Sequence, residues 1–153
     1  VLWEGPFKLT DIQKLNKEKD YGLYQIYGTH NISGPNTLLY VGQANLQSFS
    51  SRIEQHKSEW LNWQYSDIDI YVGRLGGIEK IDELQWTEKI NRAEKLLIFF
   101  SNPPYNSQSL GAYGEFSNVI VISLGKKNRL PIEVSTFYND SKYWTSELWE
   151  EYS

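Results

Sequence analysis

The feature that most constrains the fold is an apolar stripe in the second half of the chain. Its members recur at intervals of four and three, the spacing that places side chains on one face of an α-helix: Trp86, Ile90, Ala93, Leu97 and Phe100. Pro103-Pro104 follows, and a proline has no amide hydrogen to donate, so the helix must end before it. The pattern predicts one long helix whose apolar face packs on another layer of structure.

Segments rich in β-branched and aromatic residues predict strands on both sides of this helix. In chain order, the predicted strands cover residues 22–27, 38–42, 68–75, 119–124 and 130–137. Residues 30–37 contain Asn, Gly, Pro and Ser, which predicts a hairpin loop between the first two strands. A turn at 125–128 is expected to join the last two as an antiparallel pair.

Two shorter helices complete the predicted architecture. Thr10 and Gln13 fit a capping box that opens a helix over 10–19, and apolar residues at helical spacing predict another over 49–62. The order of elements predicts a single α+β domain over 1–153, with a small central antiparallel sheet flanked by helices and a C-terminal strand extension.

Composition narrows the classes of function. The 153 residues suit one domain, and the absence of cysteine excludes disulfides and thiolate zinc sites, which favours a cytoplasmic location. No stretch approaches the roughly 20 apolar residues of a membrane span, so no membrane association is expected. The net charge of −4 opposes binding of a polyanion, although Lys126, Lys127 and Arg129 form a local basic cluster.

Six polar side chains, in a fixed order along the chain, supply the parts that phosphodiester cleavage needs. They are Tyr24, Tyr40, Arg52, His56, Glu94 and Asn106. The cleavage requires an activated oxygen and charge stabilisation at the phosphate. Arg52 offers a fork of donors that matches a phosphate, and His56 lies one helical turn further on the same face.

The other members of the set have complementary chemistry. Glu94 is suited to hold Mg²⁺, a hard ion that proteins often bind through only one or two carboxylates. The hydroxyls of Tyr24 and Tyr40 come from adjacent strands and are expected to converge on a water or a substrate oxygen. Asn106 follows a helix stop, where its amide can fix a loop or a phosphate.

Each residue taken singly has an ordinary structural interpretation. A tyrosine in a strand usually packs, a lone Arg52 usually carries a solvated charge or a surface ion pair, and Glu94 can decorate the exposed side of its helix. His56 alone fits a hydrogen-bonded histidine, and Asn106 a turn former. The nuclease hypothesis depends on the order and spacing of the whole set.

The ordered set resembles the GIY-YIG nuclease domain, and in particular its small stand-alone bacterial members. The matching motifs are Gly22-Leu23-Tyr24, Tyr40-Val41-Gly42, Arg52-x-x-x-His56, and Glu94 followed by Pro104-Tyr105-Asn106. The resemblance covers about residues 20–110. Two departures stand out: fifteen residues separate Tyr24 from Tyr40, which lengthens the hairpin, and Gln43 stands where many relatives carry Lys.

The resemblance implies a metal-dependent endonuclease that hydrolyses DNA and leaves a 5′-phosphate and a 3′-hydroxyl. It implies Mg²⁺ or Mn²⁺ on Glu94, Arg52 on the scissile phosphate, and Tyr24 as general base or nucleophile-positioning group. Tyr40 and His56 would assist Tyr24, and Asn106 would support the site. No recognition domain is visible in the sequence, so specificity would have to come from the 29–37 loop, the C-terminal strands, a homo-oligomer or a separate partner.

Two alternatives remain open on the sequence alone. A nucleic-acid-binding module that keeps the fold without turnover would account for the acidic balance and for Gln43. A protein- or sugar-binding domain would account for the six Trp and eleven Tyr, but it would leave Arg52, Glu94 and Asn106 unexplained.

Overall fold

The structure, a computed structural model, describes residues 1–63, 67–76 and 82–139. Its strands are β1 (Leu2–Phe7), β2 (Gly22–His30), β3 (Gly34–Ala44), β4 (Asp69–Arg74), β5 (Ile120–Ile122), β6 (Leu124–Gly125) and β7 (Glu133–Ser135). Its α-helices are α1 (Leu9–Ile12), α2 (Phe49–Glu59) and α3 (Glu83–Ser101), with short 3₁₀ turns at Leu61–Trp63 and Thr136–Asn139. The predicted domain also includes 140–153, which lie outside the described residues.

The main sheet has five strands in the order β3-β2-β4-β1-β6. Its neighbouring strands are antiparallel except β1 and β6, which run parallel through the pairs Leu2–Leu124 and Trp3–Gly125. The predicted α+β class is confirmed, but the sheet is mixed rather than purely antiparallel. Strand β1 was not predicted, because Gly5-Pro6 interrupts its alternation.

The C-terminal pair is confirmed as an antiparallel ladder. Val121 of β5 pairs with Val134 of β7 in a separate two-stranded sheet. Both valines are buried against the residues of α3, so this extension packs on the same core as the main sheet.

Some predicted boundaries are wrong. The hairpin turn is shorter than 30–37, because β3 already begins at Gly34. The capping box at Thr10 does not form, since Thr10 lies within the four-residue α1, and Lys8 holds the N-cap without a side-chain hydrogen bond. The helix predicted over 49–62 ends at Glu59 and is followed by the 3₁₀ turn.

Helix α3 confirms the long helix that the apolar stripe predicted. Asp82 caps its start by accepting a hydrogen bond from the backbone of Gln85, and Asn102 ends it in the left-handed conformation, with φ of 46°. Of the stripe residues, Ile90, Ala93 and Leu97 are buried. Burying one such large aliphatic side chain contributes about 1.5–3 kcal/mol, which fixes α3 against the sheet.

The helices cover opposite faces of the sheet. Leu23 packs in one core cluster with the apolar residues of α3, and its neighbour Tyr24 packs in a second cluster with Phe49 and Ile53 of α2. Successive strand residues point to opposite faces, so the sheet lies between α3 on one side and α1 with α2 on the other.

Among the residues that the structure describes, no helix has both the length and the apolar composition that a membrane span requires.

Candidate active site

The centre of the candidate site is a hydrogen bond between β2 and α2. Tyr24 Oη lies 2.6 Å from His56 Nε2, and both side chains are buried. Ser48 fixes the start of α2 by accepting a hydrogen bond from the backbone N–H of Ser51. Ile53 is buried on the same helix face as His56. Helix capping and core packing therefore hold the histidine against the strand.

Tyr40 of β3 joins Tyr24 to form what we call the tyrosine pair. The two rings lie 6.1 Å apart at an interplanar angle of 21°. Gly42, the partner of Tyr24 in the ladder, leaves room for both rings. A β-carbon at this position would lie 2.6 Å from Tyr24 Cζ and 2.6 Å from Tyr40 Cε1. The Tyr-Val-Gly motif therefore has a steric reason for its glycine.

Arg52 lies one turn before His56 and interacts with both hydroxyls of the tyrosine pair. Its Nη1 donates to Gln55 Oε1 at 2.6 Å, while its buried Nε has no hydrogen-bond partner among the described residues. One donor of the guanidinium is therefore satisfied within α2, and another is buried without an acceptor from the described residues.

Burial dominates the electrostatics of the tyrosine pair. It raises the pKa of the Tyr24 hydroxyl well above its usual value, and the Arg52 guanidinium opposes this shift. Burial also raises the pKa of Tyr40; the Glu94 charge adds to that shift and Arg52 again opposes it. Both hydroxyls are therefore protonated near neutral pH.

His56 has contacts on both ring nitrogens. Its Nδ1 lies 3.0 Å from Glu59 Oε2 and 3.3 Å from Trp60 Nε1. Burial lowers the pKa of His56, and the hydrogen bond with Glu59 offsets part of this. The imidazole is accordingly neutral at pH 7.

Glu94 belongs to α3 but interacts with the edge strand β3. Its Oε2 accepts a hydrogen bond from Gln43 Nε2 at 2.7 Å, and the same nitrogen donates to Asn91 Oδ1 at 2.7 Å. Burial raises the pKa of Glu94 to about 7, while Gln43 and Arg52 oppose the shift. Because the Glu94 charge also acts on the tyrosine pair, the carboxylate is electrostatically coupled to the α2 side of the site.

Asn106 is not a member of this cluster. Its Oδ1 accepts from the backbone N–H of Val41 at 3.0 Å, and its Nδ2 donates to the Val41 carbonyl at 2.8 Å. The N–H of Tyr105 bonds the Leu39 carbonyl at 3.0 Å. Asn106 thus continues the ladder of β3 from a loop and fixes the backbone between Tyr40 and Gly42.

The structure brings four of the six predicted residues into contact: Tyr24, Tyr40, Arg52 and His56. Glu94 interacts with them through charge, and Asn106 acts through the backbone. Sequence reasoning missed Glu59 and Trp60, whose only signal was their helical spacing of three and four from His56. It also missed Asn91, which lies three residues before Glu94 on the same helix face.

A cavity of about 690 Å³ lies at the starts of α2 and α3. Tyr21 and Trp86 line it in an edge-to-face contact with centroids 5.0 Å apart. The Trp86 indole donates to Asn45 Oδ1 at 3.1 Å. None of the six predicted residues lines this cavity.

The residues around Glu94 fit a hard divalent cation. Its Oε2 and Asn91 Oδ1 both lie 2.7 Å from one atom, Gln43 Nε2. The Gln43 amide lies between these two oxygens, so a cation would have to take its place; a carboxylate and an amide oxygen are ligands of the kind that Mg²⁺ takes, with several waters as its other ligands. In 1–63, 67–76 and 82–139, no group of three or more His, Cys, Asp or Glu side chains is placed to hold a metal ion, so a cation here would use this smaller set.

Comparisons with models of protein families, with curated proteins and with solved structures found no match to this chain.

Proposed function

We propose that the protein is a metal-dependent endonuclease of the GIY-YIG type, which hydrolyses phosphodiester bonds in DNA and leaves a 5′-phosphate and a 3′-hydroxyl. The observation that carries this proposal is the cluster of Tyr24, Tyr40, Arg52 and His56. These residues come from two adjacent strands and a helix, and the 2.6 Å contact between Tyr24 and His56 spans 32 positions of sequence.

Exposure suggests how the roles are divided. Tyr24 has no exposed surface, whereas Tyr40 and Arg52 are only partly buried. A phosphate that enters from solvent therefore meets Tyr40 and Arg52 first. We assign Arg52 to the phosphate oxygens and Tyr40 to the attacking water, with the Tyr24–His56 pair beneath them as the group that orients these hydroxyls.

Glu94 would hold the cation, with Asn91 as a second oxygen ligand. When bound, Mg²⁺ or Mn²⁺ would neutralise charge on the phosphate and stabilise the leaving oxygen. Glu94 must be ionised to serve as a ligand, and its pKa lies at about 7, so cation affinity should rise as the pH is raised through that value.

Plasmid nicking in the presence of Mg²⁺ or Mn²⁺ tests the proposal. Glu94→Gln and Arg52→Lys should each lower the cleavage rate by about 100-fold or more, the loss typical when one group that stabilises transition-state charge is removed. Glu88→Gln is the matched control, because Glu88 is exposed on α3 and pairs with Arg92. Wild-type protein that leaves DNA intact, or variants that cut as fast as wild type, would refute the assignment.

A nucleic-acid-binding module without turnover is the second candidate. One observation favours it: Gln43 stands where many members of the resembled family carry Lys, which removes a possible contact with the phosphate. This candidate predicts DNA binding that weakens steeply with salt, with no cleavage in either metal. Fluorescence anisotropy of a labelled duplex at increasing KCl, run beside the nicking assay, separates the two candidates. A cytoplasmic location, and a second copy or partner that supplies specificity, stay predictions.

A further inference from the structure

A chain of polar contacts leads from the candidate site to the surface. Arg52 interacts with the Tyr24 hydroxyl, Tyr24 Oη lies 2.6 Å from His56 Nε2, and His56 Nδ1 lies 3.0 Å from Glu59 Oε2. The last member, Glu59, is 61% exposed, while the histidine it contacts is buried.

The chemistry of the end members sets the direction of this chain. Arg52 can only donate and an ionised Glu59 can only accept. A neutral imidazole has one donor and one acceptor nitrogen. If His56 Nδ1 donates to Glu59, then His56 Nε2 accepts from the Tyr24 O–H, and the Tyr24 oxygen accepts from Arg52. The Tyr24 hydroxyl hydrogen and the His56 ring hydrogen then each have an acceptor, while the Trp60 indole N–H, 3.3 Å from Nδ1, gives up its acceptor there.

The opposite direction of the chain leaves a hydrogen-bond donor without an acceptor. It would require Trp60 Nε1, 3.3 Å away, to donate to His56 Nδ1, which would leave Nε2–H pointing at Tyr24. The Tyr24 hydroxyl hydrogen would then need another acceptor, and the described residues provide none. The contact with Glu59 is also shorter and involves a charged partner, which makes it the stronger hydrogen bond.

We propose that Glu59 is a positioning residue: its carboxylate holds the His56 proton on Nδ1, and this makes the Tyr24 hydroxyl donate to His56. The catalytic consequence rests on the proposed nuclease function. The assignment of the His56 tautomer does not depend on that function. Carboxylates set the tautomer of a neighbouring histidine in the same way in hydrolytic triads.

The tautomer can be read directly. The chain has only two histidines, His30 and His56, so long-range ¹H–¹⁵N NMR spectra of ¹⁵N-histidine-labelled protein resolve both rings. We expect the Nδ1–H form of His56 in the wild type. Glu59→Ala should shift His56 to the Nε2–H form, because Trp60 then becomes the only partner of Nδ1.

Two controls sharpen the test. Glu54→Ala removes another exposed carboxylate of α2, one that pairs with Lys57 and not with His56, and it should leave the spectrum unchanged. Trp60→Phe should also leave the Nδ1–H form in place. An Nε2–H form in the wild type, an unchanged tautomer in Glu59→Ala, or a switch in Trp60→Phe would each overturn the proposal.

Cleavage kinetics supply a second readout. If the nuclease function holds, Glu59→Ala should lower kcat by about tenfold or more while KM stays within about twofold, because the residue orients a group and does not touch DNA. An inactive wild type with the expected NMR response would refute the proposed function and leave the Glu59 role standing. An active wild type whose His56 tautomer is unchanged by Glu59→Ala would support the proposed function and refute the Glu59 role.

Discussion

At the scale of single residues, two hydrogen bonds from one amide fix the part of β3 that carries Tyr40. Asn106 bonds both the N–H and the carbonyl of Val41, and its side chain is buried. The sequence motif placed Asn106 in the candidate site, but nothing in the sequence indicated that its partner would be a backbone 65 positions away.

Removing this amide should destabilise the protein. In Asn106→Ala both polar groups of Val41 lose their partner, and a buried group left unsatisfied costs about 1–3 kcal/mol. We expect urea unfolding to show a loss of that size. Asn106→Asp should fall between Asn106→Ala and wild type, since it keeps the acceptor and loses the donor. Ser107→Ala, at an exposed neighbouring position, is the control. Equal stability of wild type and Asn106→Ala would contradict this role.

A second residue-scale prediction concerns the pH dependence of stability. Burial raises the pKa of Glu94 to about 7 in the folded protein, above the value of about 4.3 expected in an unfolded chain. A raised folded-state pKa stabilises the protein below the unfolded pKa, and that contribution is lost as the pH rises through about 7.

Glu94→Gln should therefore gain stability relative to wild type between pH 5 and pH 8, because the amide cannot ionise. Thermal unfolding at pH 5, 6, 7 and 8 in the presence of EDTA measures the difference in Tm. The Glu88→Gln control on the same helix should not show this trend. A wild type that loses no stability relative to Glu94→Gln over this range would show that the carboxyl is not desolvated.

At the scale of elements, α2 is the helix that places Arg52 and His56 beside β2. The spacing of its apolar residues predicted this helix, although not its end, and the alternation of residues predicted β2 and β4. The four-residue α1 was overestimated, because a pattern of apolar residues can be satisfied by one turn packed on the sheet as well as by a longer helix. Local sequence also gave no sign of β1, whose alternation is broken by Gly5-Pro6.

The N-cap of α2 should contribute to the stability of the protein. Ser48 accepts from the Ser51 N–H at 3.2 Å, and loss of such a cap costs about 0.5–2 kcal/mol. Ser48→Ala should lower the free energy of unfolding by that amount, while Ser48→Asp should retain it, since aspartate also caps. Urea denaturation with Ser58→Ala as control checks this. Equal losses in the alanine and aspartate variants would exclude capping as the cause.

At the scale of the whole molecule, the sheet separates two layers, and the candidate site draws on both. Tyr24 and His56 belong to the layer of α2, while Glu94 belongs to α3. The Glu94 charge acts on Tyr24 although the two side chains come from elements far apart in the sequence. The order of the motifs predicted which residues belong to the candidate site. It did not predict that Gln43 of β3 would bond Asn91 and Glu94 of α3, because such contacts depend on how α3 lies across the sheet.

The N-terminal strand anchors the core on the α3 side of the sheet. Trp3 is 1% exposed and packs with Leu23 and Ile90, while β1 pairs with both β4 and β6. Truncating a buried tryptophan typically costs about 3–5 kcal/mol. Trp3→Ala should show a loss of that size in urea unfolding, and Leu2→Ala, at a half-exposed position, should show little. A small loss in Trp3→Ala would mean that β1 is dispensable for the core.

The way the loop after α3 closes β3 affects how the protein behaves at high concentration. An uncovered edge strand is a template onto which another chain can add, the usual first step of strand-mediated aggregation. Here the Tyr105 backbone and the Asn106 amide already occupy the outward groups of Leu39 and Val41. A second molecule therefore cannot extend the sheet along this stretch without first displacing the loop.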